Sequence, residues 1–188
     1  MELLQPHIVI IQETKAKRKS QLKFKGYRSF ATIRGDSGGG LLIACISSLN
    51  PVQIFEGDCE TEVLVIEATI GPKTVRIIAG YGPQECAPVV VREKYRNTVE
   101  EQIERAYLAG CSVLIAEDAN AKLGAGIIPN DPNPMSENGK LLYAMIERQK
   151  LSIINNSDKC TGGPQDHKVS NNQGQKGGSM HRLYACFS

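Results

Sequence analysis

Five short apolar runs, crowded with branched residues, limit what this chain can fold into. They are HIVIIQ at 7–12, GLLIACI at 40–46, EVLVIEATI at 62–70, TVRIIAGY at 74–81 and SVLIAE at 112–117. Each is too short for a stable helix and too rich in Val and Ile to favour one, so each is predicted as a strand. Between the last two lies REKYRNTVEEQIERAYLAG. There Tyr95, Val99, Ile103 and Ala106 recur every three or four residues and Gly110 supplies a stop, which is the pattern of an amphipathic helix. A second helix is predicted to begin at Ser136 or Asn138, both good N-caps, with Leu141, Leu142, Met145 and Ile146 on one face. A short strand, LSIIN at 151–155, follows it, and LGAGIIPNDPNP at 123–134 reads as loop.

Strands joined by tight turns come first and helix–strand alternation comes later. That order favours mixed sheets with helices outside over a regular parallel fold. With 188 residues, 41% of them apolar, the chain can bury one core without disulfide or metal staples. Its six cysteines (Cys45, Cys59, Cys86, Cys111, Cys160 and Cys186) show no CxxC pairing, and no secretory leader precedes them. Free thiols in a reducing, intracellular compartment are expected. No apolar run approaches the roughly 20 residues that span a bilayer, so no membrane association is expected. A net charge of +2 does not announce a polyanion partner. The local run Lys15, Lys17, Arg18, Lys19, Lys23 and Lys25 serves either as a solvated face or as a contact for phosphates.

Three of the strands end in groups suited to a metal ion or a phosphate: Gln12-Glu13 after HIVII, Tyr81-Gly82-Pro83 after VRIIAG, and Asp118 with Asn120 after SVLIAE. Carboxylates are hard oxygen donors of the kind Mg²⁺ accepts, an asparagine can hold a phosphate oxygen, and a tyrosine hydroxyl can donate to developing negative charge. Taken singly, each is also an ordinary strand end or turn. Brought side by side, they would suit phosphodiester hydrolysis by metal-activated water.

Taken in order, QET, a strand opened by GGG, GYGP, an acidic D-x-N after a strand, and SENGKLLYAMIERQKLSIINN resemble the endonuclease/exonuclease/phosphatase superfamily. The likeness is nearest to the apurinic-type endonuclease domain of non-long-terminal-repeat retrotransposons and covers about residues 6–162. The resemblance implies an α/β fold, a two-sheet β-sandwich flanked by helices, here incomplete at both ends. It implies a divalent-metal-dependent DNA endonuclease that nicks a target to prime reverse transcription, with Mg²⁺ or Mn²⁺ as cofactor. In that reading Glu13 holds the metal, Asp118 orients or activates water, Asn120 positions the phosphate and Tyr81 stabilises negative charge. Asn138 and Gly139 resemble a structural Asn-Gly pair ahead of the second helix. DNA is the implied partner, with a reverse transcriptase in the full-length relative and the nucleus as the place of action. A phosphatase or other phosphoesterase of the same superfamily, or a noncatalytic retroelement remnant, would keep the same motifs.

Departures from the family pattern carry expectations of their own. Glu117 stands where the family's Gly-Asp-Phe-Asn has glycine, which places an extra negative charge beside the expected metal. The family's opening asparagine strand and terminal Ser-Asp-His are not legible; Asp166-His167 follows no apolar strand, and neither His7 nor His181 looks like a substitute. Impaired activity is therefore expected of this chain. Residues 163–188, crowded with Gly, Gln and Asn, read as a disordered, non-homologous tail. Back-translated with one choice of codons and read one nucleotide later, MHRLYACFS gives CIDYMLVS and DHKVS gives ITRS, which resemble the missing family motifs. A frameshift near residues 162–165 accounts for the tail; a genuine tail of its own is the alternative.

Overall fold

A computed structural model of the chain describes residues 6–34, 38–128, 132–154 and 182–186. The predicted strands form as β1 (Ile8–Gln12), β3 (Leu41–Ile46), β5 (Val63–Ile70), β6 (Lys73–Tyr81) and β7 (Ser112–Asp118). Three more join them: β2 (Tyr27–Ala31), β4 (Val52–Glu56) and β8 (Arg182–Cys186). They build two sheets, a three-stranded one in the order β1-β3-β2 and a five-stranded one in the order β4-β5-β6-β7-β8. The first is antiparallel throughout; in the second, only β6 and β7 run parallel. A parallel pair needs a long crossover. Helix α1 (Val89–Leu108) supplies it.

Alternation along the strands divides the interior into two cores, because successive side chains point to opposite faces. Leu41, Ile43 and Cys45 from β3 meet Leu64, Ile66, Ile77 and Ala79 from β5 and β6 between the two sheets. Val63, Val65, Ile78, Val113 and Ile115 point the other way, onto α1 and onto α2 (Glu137–Arg148). The order of layers is thus small sheet, large sheet, helices: the two-sheet sandwich flanked by helices that the resemblance implies. On α1, the expected stripe of Tyr95, Val99, Ile103 and Ala106 is fully covered. Gly110, at φ +69, ends that segment as predicted. Of the two candidate caps for α2, Ser136 is the one used, its hydroxyl accepting the Gly139 N–H.

Three expectations change. Both β2 (YRSFA) and β4 (VQIFE) lie at sheet edges and are half-exposed, so no apolar run marks them. The described part of LSIIN, residues 151–154, forms a single bridge at Ile153 rather than a strand. Lys150 adopts a left-handed conformation, the Leu151 N–H closes on the Ile146 carbonyl, and Leu151 and Ile153 then pack into the helix-side core. Within the segment expected to be disordered, Arg182–Cys186 instead form β8, antiparallel to β7, with Asp118 opposite Arg182 and Leu114 opposite Cys186. An exposed ladder of N–H and C=O groups on β7 gives any extended segment backbone partners, whatever its composition. Asp166, His167 and His181 lie outside the described residues.

Because Ile103 is fully buried between α1 and the large sheet, Ile103→Ala should lower unfolding free energy by about 2–5 kcal/mol in urea titration. Val90→Ala, on the exposed side of the same helix, should stay within about 0.5 kcal/mol.

Candidate active site

Strands β1, β6 and β7 deliver their last residues to one edge of the sandwich. The parallel register pairs Tyr81 with Asp118, so these two residues sit side by side on adjacent strands. Across the gap between sheets, the Tyr81 hydroxyl donates to Glu13 Oε1 at 2.6 Å. Just before it, the buried Gln12 side chain donates from Nε2 to the Ala116 carbonyl of β7 at 3.2 Å, a second tie between the sheets. Asn120 folds back so that its own N–H approaches Asp118 Oδ1 at 3.3 Å and its amide donates to the Gly82 carbonyl at 2.8 Å. All four residues singled out in the sequence therefore converge.

Two of the four hold unusual backbone. Glu13 has φ +52 and Asn120 φ +45, in the left-handed region that side chains other than glycine rarely adopt. Such conformations cost about 1–3 kcal/mol each, persist only where surrounding bonds impose them, and gather at functional sites. The imposing bonds after β1 come from the GGG segment: Thr14 N–H donates to the Gly40 carbonyl and Lys15 N–H to the Gly39 carbonyl. Gly39 and Gly40 have φ +79 and +87, and a Cβ on Gly39 would lie 2.7 Å from both Glu62 carboxylate oxygens. Only glycine fits there. Glu62 is buried and accepts from the Gly40 N–H at 2.8 Å and from Arg34 Nη1 at 2.6 Å. Nothing in the sequence patterns marked Glu62 or Arg34; the run of three glycines beside a strand was the available signal.

The cleft above these groups has a volume of about 480 Å³, and its lining includes Glu13, Lys15, Arg34, Glu62, Tyr81 and Gly82. Asp118 is buried and does not itself line the cleft; the Gly82 N–H, which does, bonds to the Asp118 carbonyl at 2.7 Å. Burial pushes the Tyr81 phenol well up; the Glu13 hydrogen bond and charge push it further, with Asp118 adding to them, while Asn120 opposes. Tyr81 is thus a neutral donor. Glu13 keeps a solvent-facing carboxylate, with Oε2 3.8 Å from Lys15 Nζ. Among the described residues, no group of three or more His, Cys, Asp or Glu side chains could form an all-protein metal cage. The open carboxylate of Glu13 fits Mg²⁺, which is commonly bound through one or two carboxylates, several waters and a substrate phosphate.

Glu117 does not stand where expected. Successive side chains alternate, so with Asp118 toward the site Glu117 points to the helix layer, where it is buried and paired with Arg96. The Glu117 charge does not face the cleft. Asn138 and Gly139 lie inside the first turn of α2, and Asn138 does more than precede a helix. Its amide donates to the Pro83 carbonyl at 2.8 Å and the Asn120 carbonyl at 3.0 Å, joining the two loops that carry the site. Glu85 also caps this helix, accepting the Glu137 N–H at 2.8 Å.

This arrangement, a two-sheet sandwich flanked by helices, is a fold the chain shares with solved structures of nucleases. The chain is similar to the endonuclease domain of TRAS1, a telomere-specific non-LTR retrotransposon, at 18% identity and a TM-score of 0.61, covering 96% of this chain and 72% of that one. It superimposes on the 3′-5′ exonuclease NExo from Neisseria meningitidis with a TM-score of 0.69, at 14% identity over 97% of this chain and 77% of the other. The AP endonuclease LMAP from Leishmania major gives 0.70, at 14% identity over 97% and 70%. No protein-family model and no curated protein matches the sequence.

Two measurements check the geometry. The difference in 295 nm absorbance between the native chain and Tyr81→Phe should develop only above pH 10, the ordinary tyrosine value. The folded phenol keeps its proton longer than the unfolded one, so its contribution to stability is full below pH 10 and is lost as pH rises further. Asn138→Ala strips two carbonyls of their donor and should cost about 1–3 kcal/mol in a denaturant titration.

Proposed function

We propose that this chain carries out divalent-metal-dependent hydrolysis of a DNA phosphodiester, nicking one strand. The observation that carries the reading is the contact of Tyr81 with Glu13 at 2.6 Å while Tyr81 is paired in register with Asp118. That places a donor, an open carboxylate and a buried carboxylate around one point, as attack on a phosphate requires. Asp118 orients the attacking water and takes up its proton. Asn120 presents an amide to a phosphate oxygen, and neutral Tyr81 donates to charge gathering on the phosphoryl group. Mg²⁺ or Mn²⁺ on Glu13 would supply charge neutralisation at that phosphate. Lys15, beside Glu13, favours a polyanionic substrate near the cleft.

The likeness to a retrotransposon endonuclease supports DNA as the substrate; the proposal adds a reverse transcriptase as the companion activity and the nucleus as the place of action. The proposal includes impaired catalysis, since no histidine among the described residues stands at the site. It also includes the frameshift. One choice of codons for β8, read one nucleotide later, would give an apolar run with an aspartate at the same place in the chain, and the coding sequence tests it.

Supercoiled plasmid nicking tests the reading. With Mg²⁺ the 188-residue chain should nick slowly, and Asp118→Ala should lower the rate by about a hundredfold to a thousandfold. A variant carrying the alternative reading after residue 162 should nick faster than the native chain. Equal nicking by native and Asp118→Ala preparations would sink the proposal. Turnover of small phosphate monoesters without DNA cleavage would favour the phosphatase alternative.

A further inference from the structure

The residues directly before Tyr81 and Asp118 share a feature that the proposed chemistry leaves unused. Gly80 and Glu117 are paired across β6 and β7, one step before the paired Tyr81 and Asp118. On the helix side of that step, the Glu117 carboxylate accepts from Tyr95 Oη at 2.8 Å and from Arg96 Nη1 at 2.8 Å. Both partners belong to the middle of α1. The Glu117 side chain is 0% exposed and that of Arg96 5%, so neither ion is screened by water. Gly80 makes room for the arrangement, since a Cβ there would lie 2.3 Å from Tyr95 Oη and 3.3 Å from Glu117 Cβ. Arg96 also reaches Met145 of α2, Sδ at 3.9 Å.

A buried ion pair contributes little net stability against a well-packed apolar replacement, because desolvation consumes most of the attraction. Its distinctive property is directional: two short bonds from a rigid helix fix the backbone of one strand position. Here that position adjoins Asp118. A strand end that slid or twisted would carry Asp118 away from Tyr81 and lengthen the Gly82–Asp118 bond.

We propose that Glu117, gripped by Tyr95 and Arg96 over Gly80, is a positioning residue that holds the ends of β6 and β7 at the register the site needs. The clamp rests on the nuclease reading for its catalytic consequence, but not for its structural one. The group touches no substrate. It acts through Asp118 and Tyr81 alone.

Removing Glu117 by itself strands a buried guanidinium, so the informative variant is Glu117→Gly with Arg96→Met, which removes both charges together. Thermal melting should leave this double variant folded. Amide hydrogen exchange should show Gly82, whose N–H bonds to Asp118, exchanging about tenfold faster, while Leu64 and Ala79 in the same large sheet keep native protection. In plasmid nicking, kcat should fall about tenfold to a hundredfold with KM little changed, since substrate contacts remain. Glu117→Gln in the Arg96→Met background keeps an acceptor for Tyr95 and should bring kcat back to within about threefold of native. Native Gly82 exchange in the double variant overturns the clamp, as does an unchanged kcat in a native chain that nicks. Faster Gly82 exchange in a chain whose native form never nicks DNA upholds the clamp and fells the nuclease reading instead.

Discussion

Everything at the site depends on one parallel pairing, β6 against β7. An antiparallel neighbour would have carried Asp118 to the far end of the sheet from Tyr81. Parallel pairing brings both C-terminal ends to the same edge, and the twenty-residue crossover α1 is what makes it possible. The crossover also supplies Tyr95 and Arg96, the residues that grip the last step of β7 from beneath. The helix that creates the register therefore also fixes it.

The second dependence runs between the sheets. Glu13 belongs to the small sheet, and Tyr81, Asp118 and Asn120 to the large one. Their meeting relies on the apolar layer of Leu41, Ile43, Ile66, Ile77 and Ala79 and on the Gln12 bond to Ala116. Hydrophobic packing sets the separation of the layers without direction, and the Gln12 amide adds the direction. Beyond the sheets, Asn138 ties the loops after β6 and β7 together, so the left-handed turn at Asn120 is held from two sides.

How much of this was legible in the sequence follows from where each residue sits. Strands covered on both faces, such as VLVI at 63–66 and RIIAG at 76–80, announce themselves as apolar runs. So does the α1 stripe, because its period is that of one buried helical face. The edge strands YRSFA and VQIFE are silent, since half of each faces solvent and backbone pairing carries no side-chain signature. At the site, Glu13, Tyr81, Asp118 and Asn120 could be singled out because each ends a recognisable run. Glu117 was misread although its position was known. A strand's alternation forbids neighbouring side chains from facing the same way, and the charge that seemed to crowd the cleft had a guanidinium waiting on the other face. Glu62 and Arg34 could not be found, because their pairing joins segments whose proximity only the folded chain reveals.

The Gln12 and Glu13 contacts make the site a vernier of the sandwich. Two rigid layers meet at the 2.6 Å bond from Tyr81 to Glu13, and no flexible loop intervenes to absorb a slip. A fraction of an ångström of shear between the sheets, too small to unfold anything, is transmitted in full to that hydrogen bond. Substitutions deep in the inter-sheet layer, at Ile66 or Ala79, are then expected to shift the Tyr81–Glu13 contact as well as to lower stability. The site is therefore more sensitive to the spacing of the layers than the fold that carries it.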